Sequence, residues 1–274
     1  MNDTEAYWFG KNWRQFVEEN YSDERLLAAE NSLKSLFGDD GLAGKTFIDI
    51  GCGSGLFSLA AWRLGASNVT SLDVDQDSIE CCRDLARQIG RKDSREWNIV
   101  QGSILDRTIL NNLPVSDVVY SWGVLHHTGN MWQAIENVGR LVAPGGLLMV
   151  GIYNWQGGRQ GTATWQKLKK WYCKAPRWQR RIWELTYIAW KLFYMVLVLR
   201  NPVTHIPNYK QNRGMSWFRD VSDWLGGYPY EAATPGDILE FVRRRYGFQL
   251  IKQKVNCGLG ISEFLFLNER LGTG

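Results

Sequence analysis

The 274-residue sequence predicts a doubly wound, mostly parallel α/β sheet of seven strands interrupted by a mainly helical insertion. Three observations predict it. Apolar runs of strand length alternate with helix-period segments from residue 46 to residue 154, joined by short connections. The first such run leads directly into "GCGSG" at 51–55, where glycine density allows positive φ and close approach of backbone to a ligand. Charge is also unevenly distributed: between Trp155 and Gly214 there are twelve Lys or Arg and one acid, Glu184, for a net of +11. The rest of the chain therefore carries −7 of the overall +4.

The elements follow in order. Residues 46–50 (TFIDI) read as the first strand, and Leu56, Leu59, Ala60 and Leu64 recur at helical spacing in the segment from Gly55 to Leu64. "NVTSLDVD" at 68–75 is the second strand, with Asp75 or Asp77 placed to cap a helix that stops at Gly90. "WNIVQGS" at 97–103 and "SDVVYSWG" at 116–123 are the third and fourth strands. Asn130 with Gln133 three residues on forms the pattern of a capping box, and Pro144, Gly145 and Gly146 turn the chain into a fifth strand, "GLLMVGIYN". After the insertion, Thr234 as cap and Pro235 at the first helical position start the last helix. Two closing strands near 248–255 and 262–267 are expected to pair antiparallel. The expected division is 1–154 for the N-terminal helices and the core, 155–233 for the insertion, and 234–274 for the closing elements.

Residues 1–13 lack the apolar core of a signal peptide. Cysteines 52, 81, 82, 173 and 257 show no metal-ligand spacing. A reduced, cytoplasmic protein without a metal is expected.

The glycine loop has three candidate ligands: a dinucleotide, a nucleotide phosphate, or a nucleoside without phosphate. A dinucleotide fingerprint places its third glycine or an alanine at position 56, where this chain has Leu56. A phosphate-gripping loop follows its strand and ends in Gly-Lys followed by Ser or Thr, and the glycine loop at 51–55 does not; Gly44-Lys45-Thr46 stands before the strand. Asp73 closes the second strand, where a carboxylate can accept both hydroxyls of a ribose. "FIDIGCGSG", "SLDVD", "VQGSILD" and "DVVYSWGVLHH" together resemble the successive motifs of class I S-adenosylmethionine-dependent methyltransferases.

That resemblance implies a Rossmann-like methyltransferase sheet and S-adenosyl-L-methionine as cofactor. It implies that Asp49 and Gly51 lie beside the methionine part, while Gly53 and Gly55 let the loop pass close beneath the cofactor. Asp73 would take the ribose hydroxyls, and Val74 would lie against the adenine. Ser103 and Ile104 sit where the family contacts adenine, although the family often has Asp at the first of these positions. Ser121 and Trp122 would flank the methionine end. "FGKNW" at 9–13, ending in Trp13, stands where the family's N-terminal helix can cover the site.

Methyl transfer from a sulfonium needs the nucleophile held close and in line with the carbon–sulfur bond, and a base where that nucleophile is a hydroxyl. His126 and His127 follow the fourth strand at its C-terminal end and are the candidate bases; a purely structural role competes. The insertion holds eight of the fourteen tryptophans when counted to residue 224. Its segment 182–200 places Ile182, Leu185, Ala189, Leu192, Val196 and Leu199 on one helical face, and Glu184 and Lys191 keep it from spanning a bilayer. Three readings compete: a cap over an aromatic or lipid-like small molecule, an interfacial helix on anionic lipid, and an RNA-binding appendage. A cap would bury its tryptophans and leave its lysines solvated; because Glu184 and Lys191 interrupt the apolar face, weak, salt-sensitive membrane contact at most is expected. Asp220, Asp223 and Tyr230, in the loop that returns to the sheet, are candidate substrate contacts.

The expected activity is methyl transfer to a small acceptor, with O-methylation favoured and nucleic acid disfavoured as partner. An RNA methyltransferase and a non-catalytic nucleoside-binding module are the alternatives.

Overall fold

A computed structural model describes residues 23–89, 96–197 and 217–270. Helix α1 (Asp23–Phe37) precedes strand β1 (Thr46–Ile50), whose last four residues are all buried. A strand covered on both faces suits the centre of a parallel sheet. Helix α2 (Leu56–Arg63) leads to β2 (Asn68–Asp73), and α3 (Gln76–Ile89) precedes β3 (Glu96–Gln101). The short α4 (Arg107–Asn112) leads to β4 (Ser116–Trp122), followed by a single 3-10 turn, Leu125–His127. Helix α5 (Met131–Arg140) then runs into β5 (Val142–Tyr153).

Helices α6 (Thr162–Lys174), α7 (Arg177–Leu197) and α8 (Trp217–Gly226) make up most of the insertion. Helix α9 (Pro235–Tyr246) and strands β6 (Gln249–Lys254) and β7 (Ile261–Leu267) complete the sheet. Its order is β3-β2-β1-β4-β5-β7-β6, parallel except for β7, which runs antiparallel to both β5 and β6. The fold is therefore the seven-stranded, mostly parallel α/β sheet that the sequence predicts.

Alternation along the central strands supplies two cores. Ile48, Ile50 and Val119 face one layer with Met131, Ile135 and Val242 of the helices. Phe47, Val69 and Tyr120 face the other with Leu26, Leu33 and Leu59. Each fully buried Leu or Ile contributes about 1.5–3 kcal/mol relative to exposure.

Two local expectations differ from the structure. The segment Pro144-Gly145-Gly146 is not a turn before β5 but a register shift within one strand that begins at Val142. Asn268 makes this possible: its side-chain amide donates to the carbonyls of Val142 (3.2 Å) and Ala143 (3.0 Å), and its main chain pairs with Gly145 and Gly146. Asn130 makes no side-chain cap to α5, and Gln133 donates instead to Asn137 at 3.0 Å. The Met131 N–H is taken by the Glu231 carboxylate at 3.0 Å, a partner one hundred residues away that sequence spacing could not reveal. The Thr234–Asp237 capping box with Pro235 forms as expected.

The chain separates into two compact units, one comprising 163–230 and the other the sheet with its helices. Asn154 and Ala233 form a parallel bridge, so the chain leaves the sheet unit and re-enters it at one point. Within the helical unit, Tyr172, Met195, Val221 and Leu225 form the buried centre. Lys169 is buried there as well; its ammonium donates to the Trp224 carbonyl and lies 4.0 Å from the Trp224 ring centroid and 4.9 Å from that of Tyr230. Burial pushes its pKa down to about 7.

Helix α7 leaves its three tryptophans exposed, where the cap reading expects them buried. Ile182, Leu185, Ala189 and Val196 are exposed, as are Trp178, Trp183 and Trp190, whereas Glu184, Lys191 and Leu192 lie on the half-buried side. Leu199 lies outside the described residues.

Candidate functional site

The C-terminal ends of β1, β2, β3 and β4 meet where strand order reverses between β1 and β4, the place where open α/β sheets receive ligands. The glycine loop begins there. Gly51, Gly53 and Gly55 all have positive φ, at 77°, 52° and 80°. At Gly51 a Cβ would lie 2.4 Å from both methyl carbons of Val124, and at Gly55 it would lie 2.8 Å from the Cys82 sulfur. Side chains are therefore excluded at these two positions both by backbone conformation and by space. The Gly51 and Cys52 N–H groups donate to the Leu72 carbonyl at 2.7 and 3.1 Å, which ties the loop to the end of β2.

Asp73 completes that tie. One carboxylate oxygen accepts the Gly53 N–H at 2.9 Å and the other accepts the Asp75 N–H at 2.9 Å. The group is thus fixed in orientation by two main-chain donors, and its remaining lone pairs are available to hydroxyls. Burial raises its pKa, and the two N–H donors oppose that rise. Asp75 caps α3 by accepting the Ser78 N–H at 3.1 Å, so of the two acids proposed for that cap Asp75 serves, and Asp73 is not needed for it. Next to Asp73, Val74 is exposed.

Asp49 lies deeper, at the end of a chain of side-chain hydrogen bonds. The Ser58 hydroxyl donates to it at 2.7 Å, the Ser71 hydroxyl donates to Ser58 at 2.7 Å, and the Trp97 indole N–H donates to Ser71 at 2.8 Å. All three donors point toward one carboxylate. The signal available beforehand was weak: two serines, at 58 and 71, within otherwise apolar runs. Burial pushes the Asp49 pKa up to about 7, the Ser58 hydroxyl pulls it down, and the neighbouring Asp73 charge raises it again.

This shift makes a prediction for stability. The folded protein holds the Asp49 proton more tightly than the unfolded chain, so the contribution is complete below the ordinary carboxylate range. It is lost as pH rises through about 7. Thermal melting of the ligand-free protein should fall between about pH 4 and pH 7 more steeply than that of Asp49→Asn. Parallel melting profiles for the two proteins would remove Asp49 as the source.

The remaining expected positions are placed as follows. The Ser103 hydroxyl accepts the Leu105 N–H at 3.1 Å, shaping the turn after β3. The Ile104 side chain belongs to the core, and its carbonyl accepts from Asn137 at 2.8 Å. Ser121 is buried and donates to the Ile50 carbonyl at 3.0 Å, bridging β4 to β1. Trp122 is exposed and leans over Gly151, donating its indole N–H to Glu263 at 2.9 Å.

His126 is fully buried, with its ring centroid 4.1 Å from that of Tyr153, and its Nδ1 accepts the Tyr153 N–H at 3.4 Å. His127 is half-buried and meets the His126 ring edge-on at 4.5 Å. In the helical unit, Tyr230 packs against Lys169 and Trp224 at 2% exposure. Asp220 and Asp223 lie on α8, and Trp13 lies outside the described residues.

The chemistry of this set favours a nucleoside with a cationic end over a phosphate ligand. Two carboxylates, Asp49 and Asp73, lie at the loop, and segments 46–62, 71–82, 101–106 and 116–139 contain no Lys or Arg. Among the described residues, no cluster of His, Cys, Asp or Glu could hold a metal ion.

Residues 48–148 match the methyltransferase domain family. The ribosomal protein L11 methyltransferase of Tolumonas auensis is 28% identical over 143 residues, which are 52% of this chain and 44% of that protein. The protein of the same name from Photobacterium profundum is 33% identical over 118 residues, 43% of this chain and 36% of that protein. The chain thus spans less than half the length of these curated relatives. Among solved structures, magnesium protoporphyrin IX methyltransferase from Synechocystis PCC 6803 with bound SAH aligns with a TM-score of 0.55 at 12% identity. That alignment covers 94% of this chain and 93% of the other. At that identity the likeness is one of fold.

Proposed function

We propose that the chain, whose residues 48–148 match the methyltransferase domain family, is a class I S-adenosylmethionine-dependent methyltransferase that acts on a small, aromatic or lipid-like acceptor, with a hydroxyl oxygen as nucleophile. The observation that carries the cofactor half of this reading is Asp73, a carboxylate oriented by the Gly53 and Asp75 N–H groups at the end of β2. When bound, S-adenosylmethionine supplies a methyl group on a sulfonium, open to in-line displacement.

The residues present fit that cofactor. Asp73 would hold the ribose hydroxyls, and Val74 would cover the adenine, with Ser103 and the main chain of Ile104 along its edge. Gly51, Gly53 and Gly55 would let the loop run beneath the nucleoside. Asp49 would face the cationic amino-acid end, where two opposite charges in a partly dry site attract strongly. Ser121 would help shape the methionine end by fixing β4 to β1, and Trp122 would border it. His127 would accept the proton that a hydroxyl acceptor loses, with His126 supporting its ring.

A protein acceptor is the second reading. It is favoured by the curated relatives, whose name specifies a ribosomal protein. The alignment with them covers about half of this chain, so it supports a shared cofactor site more than a shared acceptor.

Titration calorimetry is expected to give heat of binding with S-adenosylmethionine and none with a nicotinamide dinucleotide. The reverse result would overturn the reading. Labelled S-adenosylmethionine with fractionated cell extract then distinguishes the acceptors: label in an organic-soluble small molecule supports the first reading, and label in ribosomal protein supports the second.

A further inference from the structure

The geometry points to the outward face of α7, with the exposed stripe of α6, as a docking surface for an anionic lipid bilayer. The helix is polarised in an unusual direction. From Ile182 to Leu197 every exposed side chain is uncharged, and the stretch's two charged residues, Glu184 and Lys191, lie on the half-buried side. Glu184 accepts the Tyr172 hydroxyl at 2.5 Å, and the Lys191 ammonium lies over the Tyr187 ring. The acid that would repel an anionic surface is therefore turned inward and engaged. Meanwhile Trp178 (64%), Leu185 (59%) and Phe193 (63%) are more than half exposed. Contiguous apolar surface of this kind marks a contact site.

Charge identifies the occupant. Lys167, Lys170 and Lys174 are exposed along one stripe of α6, and Arg177 and Arg181 are exposed in the first turns of α7. Trp171, in the same α6 stripe, meets Trp183 of α7 edge-on at 5.2 Å, which joins the cationic stripe to the apolar face. An apolar face rich in Trp and Tyr, bordered by cations, is the arrangement of a helix lying in the plane of a membrane interface. Each Lys or Arg near an anionic leaflet adds its own attraction. No described helix is long and apolar enough to cross a membrane, so contact would be peripheral.

The two other occupants fit less well. A second copy in a two-fold interface would bring these five cations and the five of the other copy into one interface. A nucleic acid would gain phosphate contacts from the stripe but none from the face between Ile182 and Leu197, which has no exposed cation.

The test is sedimentation of the full chain with vesicles of mixed phosphatidylglycerol and phosphatidylcholine, beside vesicles of phosphatidylcholine alone, at low and high salt. Binding to the mixed vesicles that weakens in high salt is expected. Reversing three cations together (Lys170→Glu, Lys174→Glu, Arg177→Glu) should lower the partition coefficient by about a hundredfold. Phe193→Glu, or the milder Phe193→Ser, should lower it by about tenfold. All these positions are exposed, so melting temperature should not change. Absence of binding to mixed vesicles would overturn the inference, as would variants that bind like the parent. A dimer by light scattering that Phe193→Ser dissolves would also overturn it, by assigning the face to a second copy. Salt-sensitive RNA binding without vesicle binding would do so by assigning the surface to nucleic acid.

Discussion

Asp73→Ala is expected to weaken S-adenosylmethionine binding by about 1–3 kcal/mol, which is about fivefold to more than a hundredfold in the dissociation constant. A carboxylate that accepts ribose hydroxyls makes charge-assisted hydrogen bonds, and its removal leaves those hydroxyls facing a methyl group. The same change also removes the acceptor of the Gly53 and Asp75 N–H groups, each bonded at 2.9 Å. The glycine loop would then lose one of its ties to β2, while the bonds from Gly51 and Cys52 to the Leu72 carbonyl remain. Asp73→Asn separates the two contributions. An amide keeps one carbonyl oxygen, enough to accept the Gly53 N–H of the loop, but loses the charge and the acceptor of the Asp75 N–H, so binding should fall while the loop keeps its tie to β2. Calorimetry measures the affinity and thermal melting the loss of loop structure. A dissociation constant unchanged in both variants would remove Asp73 from the ligand site.

The sheet was legible because its signals are local and redundant. Apolar runs bounded by glycines and acids located β1, β2, β3 and β4 to within a few residues, and the Thr234–Asp237 box located α9. Contacts from distant residues were not legible. Asn268 turns an apparent Pro-Gly-Gly turn into a shift within β5, and Glu231 replaces Asn130 as the cap of α5. At the candidate site, Asp49, Asp73 and the glycines could be named from their motif, but not the Trp97–Ser71–Ser58 chain that ends on Asp49. Those partners come from three separate elements whose register only the folded sheet sets. The insertion misled for a different reason. Helical periodicity shows that α7 has an apolar face, but not which way it points; the inward position of Glu184 depends on Tyr172, and that of Lys169 on Trp224 and Tyr230.

His127→Ala is expected to lower turnover by about 10²–10⁴-fold, with the dissociation constant for S-adenosylmethionine unchanged. That loss corresponds to about 3–5 kcal/mol of transition-state stabilisation. The adjacent histidines do not have equal claims. His126 is fully buried, packs on Tyr153, and presents its Nδ1 as acceptor to the Tyr153 N–H. Its carbonyl also accepts the Glu231 N–H at 2.9 Å, joining the 3-10 turn to the chain that returns from the insertion. A ring held in this way serves packing, and His126→Ala should show its main effect as a lower melting temperature from the cavity it leaves. His127 sits one residue further along the turn and is half-buried, so it can reach both protein and an acceptor molecule. The edge-on contact between the two rings at 4.5 Å lets the buried one fix the orientation of the other. Once an acceptor is known, single-turnover rates for the two variants at saturating cofactor, compared with their melting curves, separate these roles. A His127→Ala protein that turns over at the parental rate would leave catalysis to positioning of the nucleophile alone. A His126→Ala protein with normal stability and the larger rate loss would exchange the two assignments.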